Sequence, residues 1–451
     1  MMKESEKTRR DFIKTALTGA AAVSFGGILP GFSAKSYASI IGSNDRVKVA
    51  MMGVNARGLA LATNFSLQPN CEITYVCDVD SRAAAKCIDR VEKNQKKRPK
   101  AQPDFRKALE YKDVDALVVA APDHWHAPAA ILASQAGKHV YLEKPASHNP
   151  NEGEILVAAA RKYKNVIQMG NQRRSWPNVQ AGIKELQGGI IGRPYFAKTW
   201  YTNNRPSIGV GKPTPVPEWL NFDLWQGPAP RVAYKDNILH YNWHWFWHWG
   251  TGEALNNGTH FVDIARWGLG VAYPNKVTSS GGRYRYQDDW ETPDTQVISM
   301  EFDNNTALTW EGRSCNAAPI EGSTVGVIFY GETGTLYIGG KNEYVARDLK
   351  NKVIKEANDN IKVEATSLTN PSQALDALHI QNFFDGIRKG TALNADILSG
   401  HQSTLLVQLG NIAQRSGSTL EIDSKNGHIL NNKEALKYWS REYQPGWEPK
   451  V

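Results

Sequence analysis

Gly53-Val54-Asn55-Ala56-Arg57-Gly58 lies between an apolar, β-branched run over 46–52 and a helical stretch predicted from Leu59 to Ser66. A second predicted strand, Glu72 to Cys77, ends at Asp78, 20 positions beyond Gly58. Strand, tight turn, helix and strand at this spacing suit a dinucleotide. Gly53 permits the turn, Gly58 lets the helix approach the strand, and N–H groups at the helix start face a pyrophosphate. Asp78 can accept both ribose hydroxyls and would repel a 2′-phosphate, which favours NAD over NADP. Asn55 replaces the second glycine of the fingerprint, and Asn tolerates φ > 0 well enough for the turn to survive. An ordinary βαβ turn without nucleotide is the competing reading.

A second group of reactive residues lies far along the chain. Asn256, His260 and Asp263 are spaced i, i+4 and i+7, so on a helix they share one face. A histidine of near-neutral pKa suits proton abstraction. A satisfied core histidine is the other reading of His260. Just before this helix, residues 240–249 read His-Tyr-Asn-Trp-His-Trp-Phe-Trp-His-Trp, and eight of the 14 Trp fall between 200 and 267. Aromatic rings stack on the apolar faces of sugars, so a carbohydrate pocket is expected beside the helix. Core or subunit-contact roles compete for most of these rings. His240, His244 and His248 recur every fourth residue, but the run alternates at period two, like a strand, and no carboxylate or Cys joins it. No metal site is expected.

The elements that must position these groups read clearly up to about residue 170. Predicted strands at 115–120, 139–142 and 166–169 alternate with helices, one from His124 to about Ala136 and one over 151–163. Gly137 suits the end of the first. That alternation gives an α/β, doubly wound parallel (Rossmann) domain, with ligands at strand carboxyl ends. Asn55, Asp78, Asp123, Lys144 and Asn171 all fall at such ends. Beyond 171, alternating strands near 193–201, 275–284, 295–302, 305–312, 325–330 and 335–338 predict a large, mainly antiparallel open sheet. Helices near 176–187, 253–268, 372–389 and 396–412 complete an α+β domain. The expected organisation is a targeting segment over 1–38, a dinucleotide-binding domain over 39–170, and a substrate-binding and oligomerisation domain over 171–451.

The targeting segment carries Arg9-Arg10-Asp11-Phe12, a mildly apolar stretch from Ala16 to Phe32, and a small-x-small site at Ser36-Tyr37-Ala38. This predicts export in the folded state by the twin-arginine route and a periplasmic location, with no stable membrane insertion after cleavage. An exported NAD enzyme lacks a free nicotinamide pool and should hold its cofactor tightly. The formal charge of +8 includes six Lys/Arg against three acids in residues 1–38. The remainder is too diffuse for a nucleic-acid footprint. The densest basic run, Lys96 to Lys100, reads as a solvated loop after a helix. Of four cysteines, Cys71 and Cys77 flank one strand and are too far apart to bridge.

Taken together, Gly53 to Asp78, Pro122-Asp123-His124-Trp125-His126, Glu143-Lys144-Pro145, Gly170-Asn171-Gln172-Arg173 and the stretch Trp249 to Trp267 resemble the Gfo/Idh/MocA oxidoreductases. The likeness resumes at His379 to Phe383 and Asn411 to Arg415, so it covers nearly all of the chain beyond the targeting segment. It implies that Lys144 and His260 flank a substrate carbon beside the nicotinamide, with His260 as base and Lys144 holding the same hydroxyl. Asn256 stands where relatives often carry Asp, which shifts weight onto those two, and Asp263 is a candidate to steady the imidazole. The implied NAD cradle is Gly53, Asn55, Ala56, Arg57, Gly58 and Asp78, joined by Trp125, His126, Glu143, Lys144 and Asn171. Implied substrate contacts are Arg173, His244, His248 and Asp263. Relatives often carry Arg and Asp at the two His positions, so the substrate does not carry over. One sheet face is expected against a partner subunit, in a homodimer or homotetramer.

Oxidation of a sugar ring hydroxyl, at C3 of a glycoside for instance, is the leading expectation. A redox-neutral glycosidase, which oxidises, eliminates and re-reduces on one NAD, is the alternative. The intact Lys144 favours the former, since that branch tends to lack it. A non-catalytic sugar-binding protein is the third reading, disfavoured by Lys144 and His260 together. The segment from about Ser418 to Trp447 reads as an arm whose docking surface is open.

Overall fold

A computed structural model describes residues 46–364 and 371–451. The predicted targeting segment lies outside the described residues. The described residues from Val47 onward belong to one compact unit.

Six parallel strands form the first sheet, in the order β3-β2-β1-β4-β5-β6. They are β1 (Val47–Met52), β2 (Cys71–Cys77), β3 (Lys100–Ala101), β4 (Ala116–Val119), β5 (His139–Leu142) and β6 (Ile167–Met169). Helix α1 (Ala56–Ser66) follows β1, and α2 (Ser81–Gln95) follows β2. The short α3 (Phe105–Leu109) precedes β4. Helices α4 (Asp123–Gln135) and α5 (Pro150–Tyr163) follow β4 and β5. The strand interiors are continuously apolar, because both faces are covered: Val49, Met51, Leu117, Val118 and Val140 are all fully buried. Reversal of strand order between β1 and β4 opens a crevice at their carboxyl ends.

The second sheet has ten strands, ordered β14-β13-β12-β11-β7-β10-β9-β8-β15-β16. The strands seen in the sequence are β7 (Pro194–Thr202), β8 (Lys276–Gly282), β9 (Thr295–Phe302), β10 (Thr306–Arg313), β11 (Val325–Gly331) and β12 (Gly334–Ile338). Four more extend its edges: β13 (Tyr344–Asp348), β14 (Val353–Ala357), β15 (Leu420–Ile422) and β16 (Ile429–Leu430). All pairs are antiparallel except β7 with β10. Helices α6 (Pro177–Gln187), α8 (Thr259–Leu269), α9 (Gln373–Lys389) and α10 (Ile397–Ser416) match the expected positions, and a short α7 (Phe222–Gln226) lies in the 203–250 connection. Alternation in β9 and β10 buries Ile298, Met300, Leu308 and Trp310 against α8 and α10.

The 240–249 run is not a strand. Asn242–Trp245 is a 3₁₀ turn, and Phe246 and Trp249 close further turns through their N–H groups onto Trp243 O and Phe246 O. The rings satisfy one another locally: Trp243 stacks on His244 at 3.6 Å and Trp245 on Trp290 at 4.0 Å. No sheet neighbour is needed. The C-terminal arm returns to its own chain. Trp447 meets Trp125 edge-on at 5.2 Å, Arg106 lies over its ring, and Arg441 Nε donates to Glu152 at 2.8 Å. All four cysteines are free. No described helix is long and apolar enough to cross a membrane.

Candidate active site

The cradle forms where β1 turns into α1. Gly53 takes φ +75°, and a Cβ there would lie 2.7 Å from the Ala121 backbone. A Cβ on Gly58 would fall 1.8 Å from Gly53 O. Asn55 has φ −73°, so the turn takes its positive φ from Gly53 and asks no left-handed conformation of the asparagine. Helix α1 has no side-chain cap and no acid in its first turn. Its leading N–H groups are therefore open to an anion. Asp78 accepts from Val54 N at 2.7 Å and Asp80 N at 2.8 Å, and lines the same cavity. Burial raises its pKa, and those two N–H groups oppose the rise.

These features fit NAD: an uncapped helix for the pyrophosphate, Asp78 for the ribose, and apolar walls from Val79, Phe105 and Leu224. Arg57 ties the loop to the second domain. Its Nε donates to Glu143 at 2.8 Å and its Nη1 to Asp376 at 2.7 Å. Burial opposes the guanidinium charge, yet the two carboxylates hold its pKa above the ordinary value. Trp125 and His126 are fastened through carbonyls: Trp125 Nε1 donates to Trp225 O, and the His126 ring lies between Pro145 O and Ala121 O.

A roof closes over the crevice. Ser81 N donates to Trp219 O at 3.0 Å, Asn221 N to Val79 O at 3.0 Å, and His240 Nε2 pairs with Asp80 at 2.8 Å. On the opposite lip, His124 and Trp125 both donate to Trp225 O. The connection is therefore fastened to both sides of the nucleotide crevice.

At the far end of the cavity, Lys144 and His260 come together. Lys144 Nζ donates to the Asn256 carbonyl and to Asn256 Oδ1, the latter at 3.0 Å. Asn256 Nδ2 in turn donates to Tyr241 Oη at 3.2 Å. Burial lowers the Lys144 pKa, although Glu143 and Asp123 partly offset this. His260 is pushed well below the ordinary imidazole value by burial first, then by the charges of Lys144, Arg173 and Arg57. Its Nδ1 is buried without a hydrogen-bond partner. His244 donates from Nδ1 to Tyr241 O at 2.6 Å, and burial also keeps it neutral, so Nε2 is left as an acceptor.

Three expected residues stand elsewhere. Asp263 lies one turn from His260 but faces Arg174, which binds it through Nε at 2.7 Å and Nη2 at 2.8 Å, and Ser403. On α8 an offset of three residues leaves the two side chains only about 60° apart, so it is the bonds to Arg174 and Ser403 that hold Asp263 out of the cavity. His248 donates to Pro230 O and does not line the cavity. Asn171 is buried with its side-chain amide unpartnered and does not line the cavity. The three histidines of the Trp-rich run have separate partners, and no described cluster of acids, His and Cys could hold a metal.

Other residues, given no role by the sequence reading, join or back the site. Asp123 is 3% exposed, accepts from Thr251 Oγ1 at 2.5 Å, and lines the cavity. Burial raises its pKa, with His126 and the Thr251 bond opposing. Its position at the end of β4 was the available signal. Tyr241 and the Arg205–Glu253 pair had no local signal. The residues just before α8, Ala254–Gly258, wind as a π-helix, which carries Asn256 to Lys144.

Residues 47–171 match the oxidoreductase family with an NAD-binding Rossmann fold, and residues 200–448 match that family's C-terminal alpha/beta domain. The chain belongs to the Gfo/Idh/MocA oxidoreductase family. A glycosyl hydrolase family 109 protein from Saccharopolyspora erythraea is 28% identical over 253 residues, 51% of this chain and 55% of the relative. An alpha-N-acetylgalactosaminidase from Shewanella oneidensis is 27% identical over 179 residues, 36% of this chain and 39% of that one. The chain thus spans about half or less of the length of these relatives. Levoglucosan dehydrogenase, solved with NADH and levoglucosan, superposes with a TM-score of 0.65 at 18% identity, covering 83% of this chain and 99% of that one.

Proposed function

We propose that this chain oxidises a ring hydroxyl of a sugar or glycoside, with C3 the first position to test, using a tightly held NAD. The observation that carries this reading is one cavity lined at one end by Gly53, Asn55 and Asp78 and at the other by Lys144, His244 and His260. NAD, when bound, accepts the hydride of the carbinol carbon. His260, kept neutral by burial and neighbouring cations, takes the hydroxyl proton. Lys144 donates to the same oxygen and stabilises its developing charge. Asn256 fixes the lysine, and Tyr241 steadies the amide. His244 Nε2 accepts from a second sugar hydroxyl.

A 340 nm scan of the purified protein with a panel of glycosides, and no added NAD, tests this. A stoichiometric rise with one sugar supports it; a protein that neither carries nor takes up nucleotide rejects it. The family 109 relatives favour a second reading, the redox-neutral glycosidase. Free sugar and aglycone without net 340 nm absorbance would select that one.

The pH profile has a definite sign. Because His260 is lowered, its base form persists into acid, so the reduction rate should stay level through neutrality. It should fall only well below pH ~6.5, the ordinary imidazole value. On the alkaline side, loss of the Lys144 proton should cut the rate below the ordinary ammonium value of about 10.4. A stopped-flow profile with its acid limb at or above 6.5 would remove His260 as base.

We further propose export by the twin-arginine route, supported by Arg9-Arg10 and the small-x-small site at Ser36 to Ala38. Assembly through the open sheet is supported by exposed Tyr195, Val297 and Ile354. The N-terminal residue and light-scattering mass of periplasmic protein test both: an uncleaved chain or a monomer would count against them.

A further inference from the structure

Arg173 and Arg174 are neighbours, both buried, and unequal in partnership. Arg174 is neutralised by both oxygens of Asp263. Arg173 makes no ion pair among the described residues, and its one hydrogen bond runs from Nη1 to Gly340 O at 2.9 Å. Asp376, whose charge reaches it, is held by Arg57. Residues 365–370 contain no acid. The guanidinium packs against the rings of Trp176 and Phe261, 4.4 and 4.7 Å from their centroids. The rest of its fork faces the cavity that Lys144 and His260 line.

This residue is 4% exposed. Burial lowers its pKa to about 10, so it still carries charge at neutral pH. A buried charge without a counter-ion is costly unless an anion completes it. A rigid fork with free edges matches a carboxylate, which can take two parallel hydrogen bonds. The pyrophosphate has its own donors at the start of α1, and Glu143 and Asp376 already occupy Arg57.

We propose that Arg173 receives a carboxylate of the substrate, so that the preferred sugar is a hexuronic acid or its glycoside. This rests on the oxidoreductase reading above and names its substrate class. Docking has a consequence for the base. Arg173 is one of the cations that hold His260 neutral, so a carboxylate seated on it raises the basicity of the imidazole as substrate arrives.

The test uses holoenzyme as purified, titrated with methyl glucuronide and methyl glucoside by calorimetry and by absorbance at 340 nm. The glucuronide should bind about thirtyfold more tightly, the scale of a charge-assisted pair. Arg173→Gln should shrink that ratio to near unity, and Arg173→Lys should restore part of it. Equal binding of both sugars by the unaltered protein overturns the proposal without recourse to any variant. So does an Arg173→Gln protein that loses its nucleotide while keeping the preference, since Arg173 would then serve the cofactor. Selective binding of glucuronide with no reduction leaves Arg173 assigned and sinks the oxidoreductase reading. Reduction by glucoside with no glucuronide binding does the reverse.

Discussion

Replacing Lys144 by Met should lower single-turnover reduction of bound NAD by about 10²–10³-fold, the range for loss of one aimed donor in a dry site. The thioether keeps most of the volume but cannot donate. Nucleotide content should change little, because the groups suited to the pyrophosphate and ribose, the start of α1 and Asp78, lie at the other end of the cavity. The Asn256 carbonyl and Oδ1 would both lose their donor, so some of the loss comes from disorder of Asn256. Lys144→Arg separates the two effects, since it restores charge without the same reach. A variant that retains NAD and more than a tenth of the rate would show that His260 suffices, and Lys144 would become a structural residue.

Glu253→Ala should cost about 3–5 kcal/mol of stability, because it leaves Arg205 buried without its counter-charge. The pair is closed by two bonds, Nε at 2.5 Å and Nη2 at 3.2 Å, with side chains 7% and 2% exposed. Glu253 also accepts from Asn257 Nδ2 at 2.5 Å and from Asn256 Nδ2 at 3.4 Å. Activity should therefore fall along with the urea midpoint. The double variant Arg205→Met, Glu253→Leu removes both charges and should recover most of the stability. It should not fully recover the rate, since Asn257 still lacks its acceptor and Asn256 keeps only Tyr241 Oη. Equal destabilisation of single and double variants would argue that packing, not charge, holds this corner.

These two expectations draw on residues of unequal visibility in the sequence. Gly53, Gly58 and Asp78 could be read because a strand, a turn and a helix are local and their contacts follow from spacing. Lys144 and His260 came from resemblance, since no rule of periodicity brings residues 116 positions apart to one cavity. Asp263 was misplaced because counting along an ideal helix gives a face but not which neighbour that face meets; Arg174 and Ser403 settled that. The π-turn at Ala254–Gly258 sets Gly258 against Trp310, where a Cβ would lie 2.8 Å from the ring, a long-range contact that no local pattern announces. The 240–249 run imitated a strand through alternation, yet ring-on-ring stacking serves the same residues in a turn. Strands β13 to β16 escaped notice because β14 is almost wholly exposed and β15 and β16 have three and two residues.

The roof from Trp219 to Tyr241 matters beyond geometry. Backbone and side-chain bonds fasten it to both lips of the nucleotide crevice, and Trp447 braces Trp125 from behind. A cofactor beneath such a cover should leave far more slowly than a sugar arrives. Donor and acceptor must then take turns at one place, the first product departing before the second reactant binds. Initial rates measured at several fixed donor concentrations should give parallel reciprocal plots, the signature of a double-displacement enzyme whose nicotinamide acts as a resident prosthetic group.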